Sequence, residues 1–297
     1  MRIEVIGSRG QLGRELMEVL AGSPHAASGH DIESVDIAEP ASVAALLDAE
    51  RPDAVINCAA WTRVDGAETD PGAAARANAD GPRVLADACR WRGILLCHLS
   101  TDYVFDGAAR EPIPEQATPR PRSVYGRTKL AGEEAVRSTL PRHQVVRTAW
   151  LYGQEGPNFV LTMLRLAREG KPLRVVADRW GSPTWTGHLA PALVRLVERG
   201  VPGTYHLTGS GSTTWHGFAE AILAQAGLEA RVEAIPSEAY PTPAPRPAYS
   251  VLDNRAWRAL GEPPLPPWRE GLSSYLARLA AGPGDAGGPP IPPPAGS

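Results

Sequence analysis

Short apolar runs alternate with amphipathic stretches through the first half of the chain. The apolar runs, each of strand length, are residues 2–6, 25–30, 54–58, 94–99 and 144–148. The stretches between them carry apolar residues at helical spacing and predict helices near 12–20, 41–50, 71–91 and 125–139. The run at 25–30 is weak because it lacks β-branched residues. The alternation predicts an α/β fold with a doubly wound parallel sheet of the Rossmann type.

The second half of the chain has shorter elements and more proline. The spacing predicts helices at 159–169, 188–198, 214–226 and 268–281, with strands at 205–207 and 231–235. Two proline-rich segments, 107–122 and 240–247, predict irregular loops. The last stretch, 282–297, is rich in glycine and proline and has little to bury, which predicts a disordered tail.

Composition narrows the class of protein. The contents of 43% hydrophobic and 21% charged residues are ordinary for a soluble globular protein, and the net charge of -3 does not favour nucleic acid binding. No apolar run has the length of a membrane span, and the first strand begins at Arg2, so we expect no membrane segment and no signal peptide. Cys58, Cys89 and Cys97 lack metal-ligand spacing, which predicts reduced thiols in a cytoplasmic protein.

A glycine-rich turn joins the first predicted strand and helix. Gly7, Gly10 and Gly13 form a G-x-x-G-x-x-G pattern. Glycines at this place let the backbone turn sharply and approach a pyrophosphate, and the N-terminus of the following helix favours the phosphate charge. The pattern predicts a dinucleotide-binding domain at 1–150. It leaves 151–281 as a smaller α/β substrate domain, partly interleaved with the first.

The end of the second strand bears on which dinucleotide is bound. In NAD-binding proteins an acidic residue there commonly holds the adenosine ribose hydroxyls. No Asp or Glu is clearly placed for that task, whereas Arg9 and His30 are placed to approach a 2′-phosphate. The sequence therefore favours NADPH and leaves NADH open. Asp36, after a second short apolar step, is expected near the adenine.

Two further features point to chemistry at the carboxyl end of the sheet. The fourth apolar run delivers Ser100, Thr101 and Asp102, whose hydroxyls can bind a carbonyl oxygen, although such residues also favour caps and turns. Tyr125 and Lys129 lie one helical turn apart on one face of a predicted helix. Lys129 is one of only two lysines among 30 Lys and Arg residues, which indicates a position that needs an ammonium. A solvated surface pair is the alternative interpretation of this spacing.

Together these motifs resemble the extended short-chain dehydrogenases/reductases. The shared features are the glycine turn, Ser-Thr-Asp-Tyr-Val-Phe at 100–105 and Tyr125-x-x-x-Lys129. Further segments resemble the dTDP-4-dehydrorhamnose reductase family, and the resemblance covers residues 1–280 in the expected order. These segments are Ala-Ala-Trp-Thr-Arg-Val-Asp-Gly-Ala-Glu at 59–68, Lys-Leu-Ala-Gly-Glu at 129–133, Arg-Thr-Ala-Trp-Leu-Tyr-Gly at 147–153, Gly-Ser-Pro-Thr at 181–184 and Tyr-Pro-Thr-Pro-Ala-Pro-Arg-Pro at 240–247.

The resemblance implies reduction of the C4 ketone of dTDP-4-dehydro-L-rhamnose by NADPH or NADH. It implies that Tyr125 protonates the alkoxide, that Lys129 lowers the pKa of Tyr125 from its usual value of about 10 and binds the nicotinamide ribose, and that Thr101 orients the carbonyl. The predicted cofactor contacts are Gly7, Gly10, Gln11, Leu12, Gly13, His30, Asp36, Ile37, Ala60, Trp61, Thr62, Leu99, Tyr125 and Lys129. The predicted substrate contacts are Thr101, Asp102, Trp150, Asn158 and Arg246. Trp150 is expected to cover an apolar face of the sugar, with core packing as the alternative.

The resemblance also bears on metals and assembly. Some family members dimerise through Mg²⁺ held by glutamates. Glu15 is present, but the segment 185–188 lacks the matching glutamate, so we expect no metal site. The partner is expected to be a dTDP-linked 4-keto-6-deoxy sugar, without nucleic acid or membrane, and the protein to be a monomer or a homodimer.

Two other functions stay open. The same residues would serve a 4-ketoreductase acting on another dTDP-4-keto-6-deoxy sugar of secondary metabolism. A different class is a non-catalytic regulatory subunit of the same fold, as in the β subunit of methionine adenosyltransferase, which resembles this family. The intact set of Thr101, Tyr125 and Lys129 argues against a regulator, because a regulator need not keep a proton donor.

Overall fold

The computed structural model describes residues 1–282, so the predicted tail from residue 283 onward lies outside the described residues. The strands in this part are β1 (Arg2–Ile6), β2 (Ala26–His30), β3 (Ala54–Asn57), β4 (Leu95–Thr101), β5 (His143–Thr148), β6 (Leu151–Tyr152), β7 (Leu173–Val176), β8 (Trp180–Gly181), β9 (Thr184–Trp185), β10 (Gly203–His206), β11 (Thr213–Thr214) and β12 (Val232–Ile235). The helices are α1 (Gln11–Ala21), α2 (Pro40–Glu50), α3 (Val64–Thr69), α4 (Pro71–Ala75), α5 (Gly81–Arg92), α6 (Val124–Thr139), α7 (Phe159–Arg168), α8 (Thr186–Arg199), α9 (Trp215–Gln225), α10 (Arg255–Ala259) and α11 (Trp268–Ala281). None of the helices within residues 1–282 has the length and apolar character of a membrane span.

Six strands form one parallel sheet in the order β2-β1-β3-β4-β5-β10. This sheet, with helices on both faces, confirms the predicted α/β fold. The chain first adds β2 on one side of β1 and then continues with β3 on the other side. At such a reversal the crevice beyond the carboxyl ends of the strands is the usual ligand site of an open α/β sheet.

The poorly marked second strand is present at 26–30. It pairs with the whole of β1 in parallel register, from Arg2 opposite Ala26 to Ile6 opposite His30. As the edge strand it has no fully buried residue, so it does not need the apolar run of a central strand. A side chain at Gly29 would lie 2.7 Å from Ser8 Cβ, so the edge of the sheet and the turn after β1 pack closely.

The two faces of the sheet are covered by different helices. Helices α1 and α8 pack on one face, where Ile3, Leu16 and Leu193 are fully buried. Helices α2, α5 and α6 pack on the other face, where Val55 of β3 and Val136 of α6 are fully buried. Burial of each such side chain contributes about 1.5–3 kcal/mol, so an apolar cluster on each face holds the helices to the sheet.

The single helix expected at 71–91 is interrupted. Between α4 and α5 lies a π-helical turn, Arg76–Asp80, with the buried side chain of Asn78 inside it. Gly132 of α6 packs on the Asn78 carbonyl oxygen, where an added Cβ would come within 2.1 Å. Periodicity cannot reveal one inserted residue, and π turns of this kind are frequent at functional sites.

The second half of the chain forms an aromatic core beside the sheet. Strands β7 and β12 pair in parallel, and α7, α9 and α11 surround them with Tyr152, Phe218 and Tyr275 buried between. However, β10 belongs to the large sheet and α8 packs on α1. The chain therefore returns to the large sheet after residue 151, and the division into domains at 150 stays a prediction.

A buried ion pair ties α6 to the sheet. Glu133 of α6 accepts hydrogen bonds from Arg147 Nε at 2.9 Å and Nη2 at 2.7 Å, and from Ser100 Oγ at 2.5 Å. Burial by itself would raise the pKa of Glu133, but the hydrogen bonds from Arg147 hold it below its ordinary value. The charged carboxylate thus fixes α6 against the ends of β4 and β5.

We predict that loss of this carboxylate destabilises the fold strongly. Glu133→Gln leaves the buried Arg147 guanidinium without a counter-charge, and breaking a buried pair in this way costs about 3–5 kcal/mol. Urea unfolding should report a loss of that size. Glu134→Gln, at the exposed neighbour, should change the free energy of unfolding by less than about 0.5 kcal/mol. Equal stability of the two variants would contradict this role of Glu133.

Candidate active site

A cavity of about 860 Å³ opens at the carboxyl ends of the sheet strands. The turn after β1, the segment after β3, the ends of β4 and β5 and the start of α6 form its walls, and Trp215 of α9 closes one side. The predicted site residues that line it are Gly7, Gly10, Gln11, Leu12, Gly13, Asp36, Ile37, Ala60, Thr62, Leu99, Thr101, Asp102, Tyr125, Lys129 and Trp150. The fold therefore brings most of the predicted residues to one place.

The turn after β1 brings bare backbone to the cavity. Gly7 has φ +78°, and a side chain there would lie 2.7 Å from the Ala59 nitrogen. A Cβ at Gly13 would lie 2.1 Å from the Gly7 carbonyl oxygen, so α1 packs directly on the turn. The N-cap residue Gly10 offers no side-chain acceptor, which leaves the first amides of α1 available to an anion. This cradle fits the pyrophosphate of a dinucleotide.

Asn78 holds the segment after β3 in place. Its Oδ1 accepts the Trp61 N–H at 2.8 Å, and its Nδ2 donates to the Trp61 carbonyl at 3.1 Å and to Thr128 Oγ1 at 3.2 Å. Trp61 itself does not line the cavity, because its indole N–H turns back to the backbone of its own segment. Its neighbours Ala60 and Thr62 do line it. Asn78 is thus a polar tie between this segment and α6.

Asp36 forms a fixed polar edge of the cavity. It accepts the Ala38 N–H at 2.9 Å and the Arg76 Nη2 at 2.6 Å. The Ala38 hydrogen bond, with the Arg76 guanidinium, holds the pKa of Asp36 below its ordinary value. A charged carboxylate paired with a planar guanidinium is compatible with the predicted place beside an adenine, which stays a prediction.

The first turn of α6 is fixed by side chains on both sides. Ser123 Oγ accepts the Gly126 N–H at 3.0 Å, the usual N-cap arrangement. Glu68 accepts the Val124 N–H at 2.7 Å. Glu68, the last residue of the segment 59–68, therefore fixes the start of the helix that carries Tyr125.

Tyr125 and Lys129 lie on the cavity face of α6. Lys129 is buried and Tyr125 is half-buried, and Lys129 Nζ donates to the Leu99 carbonyl at 2.6 Å. The Thr101 hydroxyl is also within reach of the Tyr125 phenol. A surface pair is therefore excluded as the interpretation of this spacing, and the three predicted catalytic side chains share one wall of the cavity.

The pKa of Tyr125 shifts in the direction opposite to the one predicted from the sequence. Burial raises the pKa of Tyr125 to about 12, an effect that Thr101 opposes and Asp102 increases. The sequence predicts that Lys129 lowers that pKa, but in this structure the ammonium is hydrogen-bonded to the Leu99 carbonyl and the effect of burial on the half-buried phenol is the larger one. Burial lowers the pKa of Lys129 to about 8. At neutral pH the phenol therefore holds its proton beside a charged ammonium.

Asp102 is a third titratable group in the same wall. Burial raises its pKa to about 6, against hydrogen bonds from Ser250 and Thr101. Its Oδ1 accepts the Thr101 hydroxyl at 3.1 Å, while its Oδ2 has no hydrogen-bond partner in the described part of the chain. Asp102 thereby orients Thr101 and keeps one free acceptor.

Trp150 has a strained backbone and a fixed ring. Its φ of 48° lies in the left-handed region that bulky residues rarely adopt. Its indole stacks on Trp215, with ring centroids 3.6 Å apart and planes within 9°. A Cβ at Gly181 would lie 2.3 Å from Trp150 Cε2. Such strain persists only where neighbours over-determine it, often at ligand sites. Trp215 covers one indole face, so the predicted sugar contact of Trp150 is restricted to the remaining surface.

Besides Trp61, three predicted contacts do not line the cavity. His30 is one of them: its Nε2 lies 2.7 Å from the carboxylate of Glu4, which is fully buried inside the sheet. The ring is thus held away from the cavity. The expectation that His30 approaches a 2′-phosphate is corrected accordingly.

The other two are Asn158 and Arg246. Asn158 caps α7, accepting the Leu161 N–H at 3.0 Å and donating to the Gly153 carbonyl at 2.9 Å, so its amide is occupied. Arg246 forms a two-point ion pair with Asp65, at 2.9 and 2.8 Å. Both residues stabilise loops around the cavity, and their contact with the substrate stays a prediction.

The carboxylate of Glu15, considered above as a metal ligand, is paired with an arginine. Arg278 Nη1 of α11 lies 2.6 Å from its carboxylate, and within residues 1–282 no group of three or more His, Cys, Asp or Glu is arranged to hold a metal. The expectation of no metal site stays a prediction.

Comparison with known proteins places the chain in a family. The model of the RmlD substrate binding domain matches residues 1–281. The chain belongs to this family. A probable dTDP-4,6-dihydroxy-2-methyloxan-3-one 4-ketoreductase of Streptomyces antibioticus is 47% identical, over 95% of this chain and 96% of the relative. A dTDP-4-dehydrorhamnose reductase of Streptomyces griseus is 44% identical, over 96% and 95%.

A solved structure agrees with the fold. The dTDP-4-dehydrorhamnose reductase of Bacillus anthracis, in complex with NADP, superposes with a TM-score of 0.91 at 37% identity. The match covers 93% of this chain and 99% of that one. The family resemblance inferred from the motifs is confirmed.

Sequence reasoning missed several residues that line the cavity. Asp31 follows β2 directly, and only the weak marking of that strand hid it. Arg76 is separated from its partner Asp36 by a long stretch of sequence, and Trp215 reaches the cavity from the second half of the chain. Neither has a local signal, because each owes its place to the way distant elements pack.

We predict that Gly181→Ala displaces the Trp150 indole. The added methyl meets the ring at 2.3 Å, and overpacking of this kind typically costs about 1–3 kcal/mol. Near-UV circular dichroism of the stacked tryptophans should lose intensity while the far-UV spectrum is kept. In the control Gly22→Ala, the methyl meets nothing closer than 3.8 Å, and both spectra should be unchanged. An unaltered near-UV spectrum for Gly181→Ala would show that the ring is not fixed by Gly181.

Proposed function

We propose that the protein is an NAD(P)H-dependent reductase of the C4 ketone of dTDP-4-dehydro-L-rhamnose, giving dTDP-L-rhamnose. The observation that carries the proposal is the pair of Tyr125 and the buried Lys129, with Thr101, in the same cavity as the glycine turn after β1. The names of the Streptomyces griseus and Bacillus anthracis relatives support this substrate, and the NADP in the latter supports the cofactor.

The cradle of Gly7, Gly10 and Gly13, with the amides at the start of α1, would hold the pyrophosphate of the dinucleotide. When bound, the nicotinamide supplies a hydride to the carbonyl carbon. Tyr125 donates its phenolic proton to the oxygen that becomes the C4 hydroxyl. Its raised pKa suits this direction of reaction, because the phenol is protonated at neutral pH before the step.

Thr101 and Lys129 assist the proton transfer in different ways. The Thr101 hydroxyl donates to Asp102 Oδ1 in this structure, and on substrate binding it would donate its one proton to the carbonyl oxygen instead, which polarises the carbonyl. The Lys129 ammonium stabilises the phenolate left after proton transfer, since a positive charge in a buried site is only weakly screened. The stacked Trp150 and Trp215 exclude water from one side.

A sibling activity is the second candidate. The Streptomyces antibioticus relative bears the name of a 4-ketoreductase for another dTDP-sugar and has 47% identity with this chain. Such an enzyme would use the same proton donor and ammonium. The aromatic wall would then distinguish the two by the sugar substituents it admits.

The proposal also covers the division of the chain, the cellular location and the assembly. We place the functional division near residue 150, with 1–150 binding the dinucleotide and 151–281 completing the sugar side through Trp215. We also propose action in the cytoplasm as a monomer or homodimer, without nucleic acid or membrane, in keeping with a net charge of -3.

Turnover tests the function. Purified protein should oxidise NADPH or NADH with dTDP-4-dehydro-L-rhamnose, and NMR should identify dTDP-L-rhamnose as the product. Tyr125→Phe should lower kcat by at least about 100-fold, because it removes the proton donor, while dinucleotide binding persists. Tyr240→Phe, at an exposed tyrosine, is the matched control. If no dTDP-4-keto-6-deoxy sugar is turned over, the proposal that the protein is an enzyme is refuted.

The pH profile tests the role of Lys129. Burial favours the neutral amine and lowers the pKa to about 8, so the ammonium is present below that pH and lost above it. We expect kcat/KM for reduction to be nearly flat below pH 7. It should fall by about tenfold per unit once the pH is well above 8. A profile that stays level up to pH 10, with the fold intact by circular dichroism, would remove the ammonium from the mechanism.

A further inference from the structure

A short segment between β6 and α7 borders the glycine cradle. We call residues 154–157 the strap. Its last three residues are exposed, and they line the cavity together with Gly10 and Gln11 at the start of α1. The strap therefore lies on the solvent side of the backbone that would hold the pyrophosphate.

The two ends of the strap are fixed, and its middle is not. Asn158 Nδ2 donates to the Gly153 carbonyl at 2.9 Å, and both residues are buried. Gly153 packs on Thr186, where an added Cβ would lie 2.6 Å from Thr186 Oγ1. Within residues 1–282, no backbone–backbone hydrogen bond involves the strap. A segment that is exposed, free of such bonds and anchored at both ends can move as a unit.

One hydrogen bond holds the strap against α1. Gln11 Nε2 donates to the Pro157 carbonyl at 3.0 Å. Arg14 Nη1 also lies 4.0 Å from the Glu155 carboxylate, but both side chains are about half exposed, and such a pair is weak. A hydrogen bond between neutral groups adds little net stability, because water offers an alternative partner. The strap is therefore latched, but only weakly.

The latched position also leaves two polar atoms unsatisfied. Gln11 Oε1 and Gln154 Nε2 are buried, and neither has a hydrogen-bond partner in the described part of the chain. A buried polar atom without a partner is unfavourable, and opening the strap would let water reach it. This cost offsets the latch. The closed and open positions then differ little in free energy, so a ligand can shift the balance between them.

Gly156 gives the strap its bend. Its φ of +75° lies in the left-handed region that favours glycine. An added Cβ would come no closer than 3.6 Å to any atom, the nearest being Gln11 Cγ, which is an ordinary contact. The backbone conformation therefore requires glycine here, and the available space does not.

We propose that the strap opens to admit the dinucleotide and closes over it, with the Gln11 amide as the latch and Gly156 as the joint. The inference rests on the proposed function. Movement of the strap then sets how fast the dinucleotide leaves the cavity, as closing segments do in many enzymes.

Release of the dinucleotide tests the proposal without any sugar. Full-length protein loaded with NADPH is mixed with excess NADP⁺, and stopped-flow fluorescence follows the loss of bound NADPH. In Gly156→Ala a side chain is forced into the left-handed region, which disfavours the closed strap. Release should accelerate by about five- to thirtyfold. Association should be as fast as in wild type or faster, because an open strap does not obstruct entry. NADH with NAD⁺ gives the same test for the second dinucleotide.

Gly170→Ala is the matched control. Gly170 has φ +65°, is exposed beyond α7, and would place a Cβ with nothing within 4 Å, outside the cavity. The two variants carry the same backbone strain, so their loss of folding stability should be similar. Only Gly156→Ala should release NADPH faster. Gly156→Asn should restore most of the slow release, because asparagine enters the left-handed region more readily than alanine.

A double variant tests the latch. Gln11→Leu removes the donor to the Pro157 carbonyl and should also speed release. The effects of Gln11→Leu and Gly156→Ala should not add, because either one already opens the same strap.

The outcomes are distinct. Faster release in Gly156→Ala but not in Gly170→Ala, with association undiminished, supports the proposal. Release that is unchanged in Gly156→Ala, equally fast in both variants, or accompanied by slower association overturns it and leaves the reductase function intact. Failure of the wild-type protein to bind either dinucleotide would instead overturn the proposed function itself.

Discussion

The attachment of α6 to the carboxyl ends of β4 and β5 is the constraint on which the site depends. Glu133 joins Arg147 of β5 and Ser100 of β4, and one turn earlier Lys129 binds the Leu99 carbonyl of β4. Two charged groups buried in this way give up hydration, so the pair contributes less to stability than its short distances suggest. We interpret it as a device for position: it fixes the rotation of α6 and therefore where Tyr125 points.

The cavity itself is assembled from both halves of the chain. The glycine turn and the wall with Tyr125 come from the first half, while Trp215 comes from the second and presses on the strained Trp150. The Arg246–Asp65 ion pair joins the proline-rich segment 240–247 to the segment after β3. The sequence segments that resemble the family thus divide between residues that line the site and residues that hold its walls.

The sequence predicted the sheet, the glycine turn and the Tyr125/Lys129 pair because each has a local pattern: alternating apolar runs, glycine spacing and one helical turn. It failed where long-range packing decides. Asn158 and Arg246 have the chemistry of ligand contacts, but a helix end and Asp65 take up their polar groups. The direction of the Tyr125 pKa was wrong because burial, which a sequence does not display, outweighs the ammonium nearby. Asp31 was overlooked because an edge strand lacks the apolar run of a central one.

In the proposed reaction a hydride passes from the nicotinamide to C4 of a dTDP-4-keto sugar in this cavity while Tyr125 supplies the proton. The most direct measurement uses dinucleotide deuterated at the nicotinamide C4, prepared as each epimer in turn, with NMR analysis of the sugar product. We expect one epimer alone to place deuterium at sugar C4, with one deuterium for each dinucleotide oxidised. A converted sugar without deuterium at C4, or conversion with no dinucleotide oxidised, would contradict it.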